Sequence, residues 1–340
     1  MIFIDACFKK PTPSAPIWLM RQAGRYLSQY RQTRAKAKDF IDFCRRSDLA
    51  AEATLQPIEA LGVDAAIIFS DILVVPLEMG MRVEFAEGVG PVLSEPIRDR
   101  IGVDRLRENA ADRLDYVYDA LKIVRANLAA NKALIGFAGS PWTLATYMIE
   151  GGGSKTYATA KKMAYCAPDL LHSLLRKLSA VIESYLLRQI DAGANAVQIF
   201  DSWGGALEKS AFFEFSWNYM KQIATRIKSE RPQIPVILFS KGAGGYLEAI
   251  DGDFDVFGVD WNTPIDRAKS VLFDRYALQG NMDPARLYSK AAIEEGAREI
   301  ARIMRGENGY IFNLGHGMQP DFSVENAKFL VDFARQIFAR

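Results

Sequence analysis

Residues Pro168 to Ser202 read PDLLHSLLRKLSAVIESYLLRQIDAGANAVQIFDS. Leu171, Leu174, Leu175, Leu178, Ile182 and Leu186 recur three and four apart, the period that gathers side chains on one helix face. Pro168 stands in the first turn, where a missing N–H is harmless, and Gly193 stands just past Asp191. The helix predicted over 168–191 therefore has ordinary start and stop chemistry. The chain then passes directly into Asn195 to Phe200 (NAVQIF), a short run that reads as a buried strand, and ends on Asp201 and Ser202.

Working outward, the same unit repeats. Val63 to Phe69 ends in Ser70-Asp71, Ala133 to Ala138 in Gly139-Ser140-Pro141, and Pro235 to Phe239 in Ser240-Lys241-Gly242. Asp255 to Val259 ends in Asp260, Tyr276 to Leu278 in Gln279-Gly280-Asn281, and Tyr310 to Leu314 in Gly315-His316. These are seven units, and Ile17 to Met20 offers an eighth. A second helix is expected across Val103 to Ala130. Strand followed by helix, repeated, means parallel strands; an eightfold barrel and a doubly wound open sheet both fit. Polar residues gather at every strand's C-terminal end, the last included, which favours a single α/β (β/α)8 TIM barrel. Its N-terminal extension would contribute to the cleft. The stretch Ile72 to Leu93, with Gly88 and Gly90, reads as an extended insertion without a helix. No linker, low-complexity tract or constant-period repeat appears, so one domain over 1–340 is expected.

Lys and Arg total 42 against 41 Asp and Glu in 340 residues, so no global field steers the chain toward nucleic acid. Cys7, Cys44 and Cys166 are odd in number and far apart, which argues for a reducing compartment. The opening MIFIDACFKK reverses the charge order of a signal peptide, making the cytoplasm the default. The longest uncharged run, Ala133 to Ile149, is interrupted by glycines, a proline and hydroxyl residues, so it reads as strand plus loop and not as a membrane span.

Local charge is more telling. Pro16 to Tyr26 (PIWLMRQAGRY) carries Arg21 and Arg25, followed by Arg31 and Arg34, and no carboxylate occurs between Ala6 and Lys38. Free guanidinium forks suit a polycarboxylate or phosphate ligand; the plainer reading is a basic surface loop. Asp71, after an apolar run, is the acid to single out, either at the mouth of the barrel or as a turn cap. His316 between two glycines has little use in packing, whereas His172 reads as a helix residue. Neither histidine has a partner at metal-ligand spacing, so no metal is expected. Tyr147, expected in a loop, and Ser202 could contact a ring or carboxylate; Phe200 and Trp142 offer walls or core. GGGSKT at 151–156 lacks the Gly-Lys pair of a phosphate loop. Lys241 could form a Schiff base, but its flanking glycines point to an open loop where an amine stays protonated.

In order, PIWLMRQAGRYLSQYRQTR, IIFSDIL around Asp71, GFAGSPWTLATYMIEGGGSK from Gly136 to Lys155, QIFDSW at Ser202 and NLGHG at His316 resemble the uroporphyrinogen decarboxylase family over nearly the whole chain. The resemblance implies a (β/α)8 barrel, usually a homodimer, that removes four acetate carboxyls from uroporphyrinogen III to give coproporphyrinogen III in haem biosynthesis, without cofactor. It implies that Arg21, Arg25 and Arg34 hold substrate carboxylates, that Asp71 meets the pyrrole N–H groups, and that Tyr147, Ser202 and His316 line the cleft, where Phe200 would add an aromatic wall to the substrate-binding set. Ser28 departs from a proline common in the family. The family's corrinoid-linked methyltransferase relatives are similar in fold but carry zinc-binding residues absent here.

That chemistry needs no external electron sink if a pyrrole carbon is protonated before CO2 leaves. Arg21 is a poor acid for this, since arginine stays charged to above about pH 12; Tyr147, His316 or a held water remain as donors. A non-catalytic tetrapyrrole carrier and a Schiff-base lyase at Lys241 are the alternatives.

Overall fold

A computed structural model describes residues 1–86 and 90–339; Gly88 of the insertion lies outside the described residues. The strands are β1 (Ala65–Ile67), β2 (Val83–Ala86), β3 (Gly90–Leu93), β4 (Ala133–Gly139), β5 (Ala196–Asp201), β6 (Val236–Ser240), β7 (Val256–Gly258), β8 (Ala277–Gln279) and β9 (Tyr310–Ile311). β1, β4, β5, β6, β7, β8 and β9 pair in that order, all parallel, in one curled sheet of the TIM-barrel type. β4 and β5 are buried along nearly their whole length because helices cover one face and the barrel interior the other.

The eighth wall position belongs to Pro16–Trp18. Ile17 O accepts from Asp64 N at 2.7 Å on one side; Trp18 N donates to Phe312 O at 3.3 Å and Phe312 N to Pro16 O at 2.9 Å on the other. This segment forms one parallel bridge and no regular strand. Its neighbours explain why: Ile17 N is taken by the Asp64 side chain at 2.9 Å, Met20 N by Asn313 Oδ1 at 2.9 Å, and Arg21 turns to a φ of +61°.

Inside the sheet the first residues of four strands are alanines, Ala65, Ala133, Ala196 and Ala277, and the helix Ile2–Cys7 fills the space they leave with Phe3, Ala6 and Cys7. The chain thus plugs the barrel's N-terminal end, threads its wall at Pro16–Trp18 and emerges at the opposite end with Arg21. Trp18 points inward, its Nε1 donating to Gln279 Oε1 at 2.8 Å, and Gln279 Nε2 donates to Gln198 Oε1 at 3.2 Å.

The helix Pro168–Asp191 forms as read, and Leu171, Leu174, Leu175, Leu178, Ile182 and Leu186 are fully buried, each contributing roughly 1.5–3 kcal/mol. Three expectations change. The helix expected over Val103 to Ala130 breaks into Arg100–Asp104, a 3₁₀ turn at Ala110–Arg113 and Asp115–Asn127; Arg107 N is captured by Met79 O at 2.9 Å, which pulls the intervening backbone off a helical path. The insertion after β1 contains a short helix, Val74–Glu78, before the antiparallel pair β2–β3. The supposed loop after β4 is the helix Pro141–Glu150, because Ser140 Oγ accepts Thr143 N at 3.0 Å and Pro141 occupies the first position.

Candidate active site

A cavity of about 360 Å³ opens at the C-terminal ends of the strands, the end of a barrel where loops place functional side chains. Arg21 and Arg25 reach it from the N-terminal segment, Asp71 from beyond β1, Phe137 from β4, Phe200 from β5, Ser202 from just beyond β5, and His316 from beyond β9. Phe137 and Phe200 meet edge to face at 5.7 Å between ring centres and form an apolar wall.

Arg21 has the left-handed backbone that L side chains seldom adopt. Its neighbours hold it there: Gln22 Nε2 donates to Ala65 O at 3.0 Å, Leu19 N to Gln22 Oε1 at 3.1 Å, and Met318 N to Met20 O at 2.9 Å. Gly317 makes room for the side chain, since a Cβ there would lie 2.3 Å from Arg21 Cδ. Arg21 and Arg25 are exposed, and among the described residues neither has a carboxylate at salt-bridge distance. Arg31 is spent on structure, donating to Arg25 O at 2.6 Å. Arg34 is half-buried, donating to Ala37 O at 3.1 Å with its guanidinium 5.9 Å from the Phe43 ring, and is not among the lining side chains.

Asp71 Oδ1 accepts Leu73 N at 2.8 Å. Burial raises the carboxyl above its usual range, opposed by that N–H and by the Arg21 charge. Tyr147 sits on the helix Pro141–Glu150, behind the lining residues with its ring 6.2 Å from that of Trp203. Burial raises its hydroxyl; Trp203 opposes this, and the charges of Asp71 and Arg21 reach it with opposite signs. His316 is pushed down to about 4, first by burial and then by the Arg21 and Lys241 charges, so its ring is neutral at pH 7. Trp142 is core: it is fully buried, with Nε1 donating to Trp203 O at 3.0 Å. His172 pins helices together, with Nδ1 2.7 Å from the Tyr219 hydroxyl.

Behind Ser202 lies a buried carboxylate that the sequence reading passed over. Asp201 Oδ1 accepts from Ser140 Oγ (2.7 Å) and Thr143 Oγ1 (2.9 Å), and Oδ2 from Ser216 and Ser240 Oγ (2.8 Å each). The π-helical turn Phe213–Trp217 carries Ser216 to it. Burial raises Asp201 while the four hydroxyls pull it back. Its position at a strand's C-terminal end was the available signal. Phe137 was missed as well, although it lies two residues before the end of β4. Lys241 is not in an open loop: Gly242 packs on Gly205, and the ammonium lies 5.0 Å from the Trp261 ring and 5.5 Å from that of Trp203. Among the described residues no three His, Cys, Asp or Glu side chains are grouped to hold a metal, and no helix is long and apolar enough to cross a membrane.

The cleft therefore presents two free guanidinium groups, one carboxylate of raised pKa, a neutral imidazole and aromatic walls. The profile of the family described as Uroporphyrinogen decarboxylase (URO-D) matches residues 2–337. The chain is 61% identical over 331 residues to the uroporphyrinogen decarboxylase of Helicobacter acinonychis, covering 97% of each. It is 59% identical over 340 residues to that of Wolinella succinogenes, covering all of both. Among solved structures a methyltransferase from Methanosarcina mazei has the same fold, with a TM-score of 0.79 at 18% identity over 99% of this chain and 98% of that one.

Proposed function

This chain belongs to the uroporphyrinogen decarboxylase family, and from that premise we propose that Asp71, Arg21 and Arg25 are the centre of its decarboxylation chemistry. The reaction removes the four acetate carboxyls of uroporphyrinogen III to leave methyl groups, giving coproporphyrinogen III and CO2 in haem biosynthesis. The observation that carries the residue assignment is a single carboxylate sharing one aromatic-walled cleft with two unpaired guanidinium groups.

A proton adds to the ring carbon beside the one that bears the acetate arm, and the pyrrole becomes cationic. The arm's C–COO⁻ bond then breaks; its electron pair closes an exocyclic C=CH2 and quenches the cation, so CO2 leaves without an external electron sink. Protonation of that CH2 and loss of the added ring proton restore an aromatic pyrrole carrying a methyl group. Asp71, accepting hydrogen bonds from the pyrrole N–H groups, is favoured more as the ring turns cationic than before. Such preorganised charge supplies about 3–4 kcal/mol of transition-state stabilisation. Arg21 and Arg25 hold carboxylates, with Phe137 and Phe200 against the ring. His316, neutral at pH 7, serves as a hydrogen-bonding group and not as a stored proton. Ser202 contacts the same ligand, and Arg34 and Tyr147 support the site from behind, Tyr147 supplying a protonated hydroxyl.

The chain is proposed to work as one barrel domain over 1–340, as a homodimer on family resemblance alone, and in the cytoplasm on the charge order of its opening residues and its scattered cysteines. Sedimentation of the purified protein tests the dimer. The function is tested by anaerobic incubation with uroporphyrinogen III and chromatography by carboxyl number: stepwise loss from eight to four is expected, and full retention of eight would leave a carrier.

A further inference from the structure

Lys241 is left unused by the chemistry above, yet the structure invests in its placement. At the end of β6 its N–H donates to Asp201 O at 3.0 Å and its carbonyl accepts Gly205 N at 2.9 Å. The next N–H, of Gly242, donates to Asp260 Oδ2 at 2.7 Å, and Thr263 Oγ1 and Asn281 brace that aspartate's segment from two further loops. Gly205 and Gly242 are in backbone contact: a Cβ on either would lie 2.8 Å from the other's Cα. The Cα of Lys241 is thus fixed on both sides, and its side chain runs between two indoles, with the ammonium 5.5 Å from the Trp203 ring centre and 5.0 Å from that of Trp261.

Aromatic faces attract a cation through the ring quadrupole. They accept none of its three N–H donors along a lone pair, and among the described residues no carboxylate pairs with it. A fixed, half-buried cation with free donors is a site waiting for an anion. Lys241 is not itself among the lining residues, but its neighbours connect it to the cleft. Trp203 directly follows the lining residue Ser202, the Trp261 ring lies edge to face with His316 at 5.5 Å, and the Lys241 charge reaches His316.

We propose that Lys241 is a substrate-anchoring residue whose ammonium, held between Trp203 and Trp261, binds a propionate carboxylate of the macrocycle on the flank beyond His316, away from Arg21 and Arg25. The assignment rests on the function proposed above. A ring carrying carboxylates around its whole rim extends past Arg21 and Arg25, so a cation on another flank has a carboxylate to meet. A propionate suits an anchor better than an acetate does, because propionates survive all four turnovers while each acetate in turn becomes a methyl group.

The test compares wild type with Lys241→Gln, Lys241→Met and Lys241→Arg, measuring kcat and KM anaerobically for uroporphyrinogen III and for the intermediate that retains one acetate. Gln and Met are expected to raise KM about tenfold, by the same factor for both substrates and with kcat within about twofold; Arg is expected to restore KM to within about threefold of wild type. An unchanged KM in Lys241→Gln overturns the proposal, as does a rise confined to uroporphyrinogen III, which would mark an acetate contact. Thermal melting checks folding, and Lys241→Met, which keeps an apolar stem between the indoles, carries the comparison if the Gln variant melts early. Failure of the underlying reading shows separately, as wild-type protein that releases no CO2. In that event coproporphyrinogen titration of the tryptophan emission still decides: weaker binding by Lys241→Gln supports the anchor, and equal binding removes it.

Discussion

Replacing Asp71 by Asn should move activity and stability in opposite directions. The amide keeps an oxygen for Leu73 N, now donating to Asp71 Oδ1 at 2.8 Å, so the local turn survives and only the charge is lost. A carboxylate about 4 Å from a developing ring cation, at an effective dielectric of about 20, is worth about 4 kcal/mol, and removal of a preorganised group of this kind costs about 10²–10³ in kcat. For stability the sign reverses. Burial holds the folded carboxyl above its usual range, outweighing the Leu73 N–H and Arg21. Between the unfolded and folded pKa values the native protein therefore binds more protons than the unfolded chain, and wild-type stability falls as pH rises through that window. The Asp71→Asn variant has no such loss, so its urea midpoint at pH 7 should equal or exceed that of wild type, and the two proteins should converge below pH 4. The assay pairs anaerobic single-turnover chromatography of carboxyl number with urea unfolding at pH 4, 5.5 and 7. Turnover above a tenth of wild type removes the charge of Asp71 from the mechanism. A variant distinctly less stable at pH 7 refutes the claim that burial strains the carboxylate.

Other consequences are sharper in one observable each. Gly317→Ala puts a Cβ 2.3 Å from Arg21 Cδ, and only that flexible side chain needs to move; KM should rise several-fold with melting temperature nearly unchanged, and a normal KM would show that Arg21 binds nothing. His316 at about 4, below the usual value near 6.5, means that the unfolded chain takes up more protons across that span. Stability should then fall as pH drops from 6.5 to 4, by up to about 3 kcal/mol. His316→Gln should lose that part of the slope, and equal slopes in urea titrations would count against it. Asp201→Asn replaces one of two oxygens that together accept four hydroxyls. A misdirected amide in a buried network costs about 1–3 kcal/mol, to be read from the urea midpoint.

Much of this is legible in the sequence. The leucine spacing from Leu171 to Leu186 specifies a helix wherever the segment packs, because the period alone decides which face is apolar. Strand runs ending in polar residues imply a parallel barrel, and a run of arginines without an acid between Ala6 and Lys38 marks the segment that brings Arg21 and Arg25 to the cleft. The helix carrying Tyr147 was hidden because an uncharged run beginning after a strand reads equally well as loop; the Ser140 cap and Pro141 were the overlooked signals.

What the sequence by itself determined is local: periodicity, caps and the residue types at strand ends, all written by neighbours within a few positions of one another. Tertiary structure alone decided that Pro16–Trp18 closes the wall between β1 and β9, that four hydroxyls from three separate segments converge on Asp201, that Arg34 stands outside the cavity while Arg21 enters it, and that two tryptophans clasp Lys241. Those contacts join residues tens to hundreds of positions apart, and their geometry is set by how the sheet curls shut.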